Sequence, residues 1–166
     1  MNLQQFNQLS VAEAELRLRP CVNIAAWIAA VIAARPFSSS DAALAVAWQA
    51  AQNWRPEEVS LALAQHPRIG ERAKGMEQDA QFSAREQAAV NAQDTELAQA
   101  LQAGNRRYEA QFGQVFLIRA AGRDGFAILR ELERRLKNSA EQERQETAEQ
   151  LREIVMLRFK ELLSDE

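Results

Sequence analysis

Cysteine and histidine occur once each in this 166-residue chain, as Cys21 and His66, which excludes a disulfide framework and leaves too few soft ligands for a zinc cage. Glycine and proline are scarce as well, at six and four, and that shortage argues against loop-rich and β-rich folds. Val, Ile and Thr nowhere sustain the apolar/polar alternation of a half-buried strand. A one-sided charge is also missing. Twenty Lys and Arg against twenty-three Asp and Glu leave a formal charge of -3, whereas a protein that neutralises many phosphates carries a basic excess. No apolar run reaches the roughly 18 residues of a membrane span, and residues 1–10 lack the basic start and apolar stretch of a signal peptide. The expectation is a metal-free protein of the reducing cytoplasm, with no nucleic-acid or membrane partner.

What the chain does have is 47% hydrophobic residues, enough for the core of one domain over 1–166, and apolar positions at helical spacing. This predicts an all-α bundle of about eight helices. Ser10 with Glu13 makes a capping box, so the first helix is expected after Ser10. Further helices are expected over 22–34, ending before Pro36; over 42–53, capped by Ser39 or Ser40; and from Pro56 to Gln65, ended by Pro67. Residues 68–82 read as a long polar loop of the kind that lines sites. Ser83 opens a helix to about Asn91, Asp94 one toward Tyr108, Asp124 one toward Lys137, and Ser139 the last, toward Leu163. Between them, residues 114–119 are too short and too close to Gly113 for a helix and are expected to be extended. Trp27, Trp48 and Trp54 read as core anchors, and the mixed charges over 131–153 as solvated helix faces with i,i+4 pairs.

Two polar residues, Arg158 and His66, sit where apolar residues are expected. At 100° per residue with Leu151 at the origin, Ile154, Val155, Leu162 and Phe159 fall at about 300°, 40°, 20° and 80°, and Arg158 falls among them at about 340°. A guanidinium on an apolar stripe needs an anion, either an internal carboxylate or that of a ligand. His66 repeats the pattern. Counted from Val59, it lies at about 340° between Ala62 and Leu63, consistent with a core histidine bonded to backbone or with a proton carrier. Ser83 and Glu86 form a second capping box, next to the amide of Gln87 at a helix N-terminus that favours anionic ligands.

In order and spacing, His66-Pro67-Arg68-Ile69-Gly70, Ser83-x-x-Glu86-Gln87, Phe112-Gly113-x-x-Phe116 and Arg158 resemble the 2-oxo-4-hydroxy-4-carboxy-5-ureidoimidazoline (OHCU) decarboxylases. Phe6-Asn7-x-Leu9-Ser10, Trp27 and Arg35-Pro36-Phe37 extend the likeness toward the start. Where family members often read Phe-Gly-Phe-Pro-Phe, this chain has Gln114 and Val115 in the third and fourth places. The resemblance implies an all-α, cofactor-free carboxy-lyase of urate breakdown that forms (S)-allantoin and carbon dioxide, and it suggests a homodimer. It assigns catalysis to His66, Glu86 and Arg158. Substrate binding is assigned to Pro67, Ser83, Ala84, Arg85, Glu86 and Gln87, to the segment Phe116, Leu117, Ile118, Arg119 and Ala120, and to Arg158. A non-catalytic helical interaction module and a lyase acting on another ureido or imidazole acid are the competing readings.

Overall fold

The computed structural model describes residues 1–64 and 95–164. The expected loop over 68–82, the helix from Ser83 and the Asp94 cap lie outside these residues. Among the described residues there are eight helices and no strand: α1 Leu3–Gln8, α2 Val11–Leu18, α3 Ala25–Ala33, α4 Ser40–Ala51, α5 Pro56–Leu63, α6 Thr95–Phe112, α7 Gly125–Arg135 and α8 Ala140–Leu162. None is long and apolar enough to cross a membrane.

Side-chain oxygens decide most of the helix starts. Ser10 accepts from the Glu13 amide while Glu13 reaches back to the Ser10 amide, closing the box expected there. Ser39 caps α4 through the Ala42 amide, and Asp124 caps α7 through the Ala127 amide. Ser139 and Gln142 bond reciprocally ahead of α8. The expectation that the first helix follows Ser10 is corrected, because Asn2 and Gln5 form an equivalent box that starts the six-residue α1. Helix α3 begins three residues later than expected, at Ala25, with no side-chain cap on Ile24.

Met1–Ala62 with Arg152–Glu166 form one compact unit, and Leu63–Leu151 form a second. In the first, α2 packs on α3 and α3 on α4. The stripe Ala43, Ala47 and Ala51 is fully buried, and its small side chains let the Trp27 indole donate to the Ala47 carbonyl at 3.0 Å. Trp27 is thus a core anchor, but Trp48 is not. Standing about 100° round the helix from Ala47, it is 42% exposed, and Trp54 is only half-buried. Phe6 stacks on Phe37 at 6.4 Å, and Phe159 meets Phe6 and Trp27 edge-on at 5.8 and 6.0 Å.

In the second unit, α6 and α7 approach closely at Gly104, where a β-carbon would stand 2.5 Å from Leu132. Leu97, Leu101, Tyr108, Phe116, Ile118, Ile128 and Leu132 form its core. Gly113, at φ +70°, donates to the Glu109 carbonyl and ends α6, a conformation open to glycine without strain. Residues 115–120 then run without helix, as expected, although no ladder makes them a strand.

Candidate active site

Arg158 is buried to 3% exposure on the face of α8 that carries Leu151, Ile154, Val155, Phe159 and Leu162, each at most 6% exposed. The helical phase of the sequence therefore placed it correctly. Its Nη1 donates to the carbonyls of Pro20 and Cys21 at 3.1 and 3.3 Å. Those acceptors are presented by the turn after α2, which closes through bonds from the Cys21 and Val22 amides to the Leu18 carbonyl. These two carbonyls fix the direction in which the guanidinium points.

The residues near the start that resemble the family converge on this helix. Asn7 and Phe37 exchange two hydrogen bonds, side-chain amide to carbonyl at 3.0 Å and backbone amide to side-chain oxygen at 2.9 Å. Arg35 Nη1 donates to the Phe6 and Leu9 carbonyls at 2.8 Å each, and its guanidinium lies 5.7 Å from the Phe6 ring centre. Phe6 and Trp27 in turn pack against Phe159, the residue after Arg158. Sequence reasoning gave these positions no mechanism. The structure gives them one, as the brace behind Phe159.

The segment Phe116 to Ala120 belongs to the second unit. Phe116, Leu117, Ile118 and Ala120 are each at most 5% exposed. Arg135, 1% exposed on α7, donates through Nη1 to the Leu117 carbonyl at 2.7 Å, with its guanidinium 4.5 Å from the Phe116 ring centre. Gln150 of α8 accepts from the Arg119 amide at 2.8 Å, and Arg123 Nε donates to the Arg119 carbonyl at 2.9 Å. The backbone of this segment is thus pinned from two helices.

Behind it lies a charge cluster that corrects the expectation of solvated faces at Arg135 and Glu143, the other charges over 131–153 being exposed or half-buried as expected. Glu143, also 1% exposed, accepts from Arg135 Nε at 3.0 Å and Nη2 at 2.5 Å, from Asn138 at 3.1 Å, from Thr147 at 3.3 Å and from the Tyr108 hydroxyl. Gln114 donates to Tyr108 Oη and Thr147 Oγ1 at 3.2 Å each. Desolvation, reinforced by the bond to Glu143, pushes the Tyr108 hydroxyl up to about 12. The signal for this cluster was available in the sequence. Relative to Leu132, Arg135 stands at about 300° and Ile128 at about 320°, and relative to Leu151, Glu143 and Thr147 stand at about 280° and 320°, all on their helices' apolar stripes. Glu133 and Arg134 on α7 fit the surface reading, as do Glu141, Arg144 and Glu149 on α8, with Arg134 bonding Glu131 at 2.9 Å and Glu146 at 2.6 Å.

Arg158 and the 116–120 segment lie in different units, each with its own supports. His66, Pro67, Ser83, Ala84, Arg85, Glu86 and Gln87 lie outside the described residues.

Solved structures to which this chain is similar include two with allantoin in their descriptions. One, described as OHCU decarboxylase in the presence of (S)-allantoin, is 24% identical, with a TM-score of 0.73 over 87% of this chain and 95% of that one. The other, described as (S)-allantoin synthase, is 15% identical, with a TM-score of 0.72 over 98% of this chain but only 54% of that one. These likenesses define the fold class. The sequence matches the OHCU decarboxylase family over residues 7–160, and the chain belongs to that family, whose members are carboxy-lyases. No curated protein matches it.

Proposed function

We propose that this protein decarboxylates 2-oxo-4-hydroxy-4-carboxy-5-ureidoimidazoline to (S)-allantoin and carbon dioxide in urate catabolism. The observation that carries the reading is the family match over nearly the whole chain. The chemistry suits the residues assigned to it. When the bond to the carboxylate breaks, its electron pair enters the neighbouring ring C=N, whose nitrogen takes a proton. The substrate supplies its own electron sink, and no cofactor is required. The resulting enol becomes a carbonyl by giving its hydroxyl proton to His66, while the adjacent carbon receives a proton on one face, which sets the S configuration. Glu86 orients the imidazole or the ureido group. Ser83, Ala84, Arg85 and Gln87 hold the substrate, Pro67 borders it, and the backbone of Phe116, Leu117, Ile118, Arg119 and Ala120 forms a further wall. Arg158 grips an anionic oxygen with its planar fork, a positioning role supported by its burial and its carbonyl bonds.

The test is to generate the imidazoline from urate in situ, add the protein and follow the handedness of allantoin, since spontaneous decay yields a racemate. An S excess is expected. His66→Asn should lower turnover by about 10²-fold or more with the fold intact, and Arg158→Lys, which keeps the charge but loses the fork, should weaken substrate capture. Wild-type kinetics in both variants would refute the assignment. We also propose a homodimer in the cytoplasm, which sedimentation and fractionation would check.

A further inference from the structure

The 116–120 segment has no helix or ladder of its own, so side chains from elsewhere set its path. Arg135 is the largest of these supports. Its Nη1 fixes the Leu117 carbonyl and its face covers the Phe116 ring, while its Nε and Nη2 edge is locked on Glu143. A planar guanidinium can hold both partners at once because its donors diverge from a rigid frame. An ammonium on a flexible stem has no such frame. Gln150 is an independent second support, one helix away, at the Arg119 amide.

We propose that Arg135, held by Glu143, is a positioning residue for the decarboxylation, setting the backbone of 116–120 to receive the substrate; this rests on the functional reading above. It makes no contact with substrate in this role and acts through Leu117 and Phe116. Loosening the segment removes contacts made in both the bound substrate and the transition state, so the loss should fall on KM more than on kcat. A role confined to stability would instead lower the amount of active protein and leave KM unchanged.

The experiment compares Arg135→Lys, Gln150→Met and Arg134→Ala with wild type, using imidazoline generated from urate, with folding checked by circular dichroism and KM and kcat measured separately. Arg134 lies on the same helix and is also ion-paired, but it faces solvent and does not reach the segment. The expected result is a KM raised about tenfold in Arg135→Lys and severalfold in Gln150→Met, with kcat changed far less, and wild-type values in Arg134→Ala. Folded Arg135→Lys with wild-type KM overturns the proposal. If that variant does not fold, wild-type KM in Gln150→Met overturns it. Wild-type protein that gives only racemic allantoin refutes the functional reading itself, and this inference falls with it.

Discussion

Replacing Glu143 by Leu nearly conserves volume, so the experiment isolates charge rather than a cavity. In the native protein this carboxylate accepts from Arg135, Tyr108, Asn138 and Thr147, and both it and Arg135 are 1% exposed. The variant leaves a guanidinium buried with the Leu117 carbonyl and Thr147 Oγ1, at 3.3 Å, as its hydrogen-bond acceptors and the Phe116 ring against its face, with no anion. Breaking a buried pair from one side typically costs about 3–5 kcal/mol, a large share of the about 5–15 kcal/mol that holds a domain together. At about 2–4 °C per kcal/mol for a chain of this size, the midpoint of thermal unfolding should fall by about 6–20 °C. The double variant Arg135→Met with Glu143→Leu removes both charges and should recover part of that loss. It should not recover all of it, because Tyr108 Oη loses an acceptor and the Leu117 carbonyl a donor, each worth about 1–3 kcal/mol when left buried. Urea unfolding of the four proteins, with slopes compared to exclude a change in denatured-state compactness, provides the assay. A Glu143→Leu loss below about 1 kcal/mol, or a double variant as unstable as the two single losses added, would refute the account.

Tyr108 gives an alkaline signature. A tyrosine is neutral when protonated and its hydroxyl is raised from 10.0 to about 12 in the fold. The folded protein therefore keeps a proton that the unfolded chain releases, and the stabilisation is full below pH 10 and lost between there and about 12. At about 1.4 kcal/mol per unit, this amounts to nearly 3 kcal/mol, and Tyr108→Phe should flatten that part of the stability profile; an unchanged decline would contradict the assignment. On the acid side, hydrogen bonds from Arg134 hold the Glu131 and Glu146 carboxyls below their ordinary range. Their contribution is present above the usual carboxylate pKa and disappears as pH falls through the lowered values. With Arg134 49% exposed, Arg134→Ala should cost under about 1 kcal/mol at neutral pH and nothing in strong acid or in about 1 M salt, as urea midpoints would show.

Local chemistry made much of the fold legible. Ser10, Ser39, Asp124 and Ser139 each stand three residues before the amide they bond, a spacing visible without coordinates. The box at Asn2 differs only in using amides in place of a hydroxyl and a carboxylate, yet it opens a helix of just six residues, too short for periodicity to register. Arg158 was found by helical phase, because a single cation on an otherwise apolar stripe is conspicuous. Arg135 and Glu143 obey the same geometry but sit in segments crowded with charges, where the few facing inward are hidden among the many facing solvent. What no wheel supplies is the partner. That Arg135 meets Glu143 and Leu117, or that Arg35 meets Phe6 and Leu9, is decided by how separate helices and turns dock.

The bond from Arg158 to the Pro20 carbonyl spans 138 positions, and the terminal ammonium of Met1 reaches the Ser164 carbonyl across 163. By contrast, α6, α7 and the first half of α8 follow one another directly in the second unit. Closure entropy grows with the length of chain between two contacts, and local pairings form soonest. During synthesis the acceptors after α2 must therefore wait for 138 further positions to emerge before the guanidinium arrives. A nascent chain halted anywhere before residue 158 therefore holds the Pro20 and Cys21 carbonyls without the guanidinium that bonds them in the finished fold.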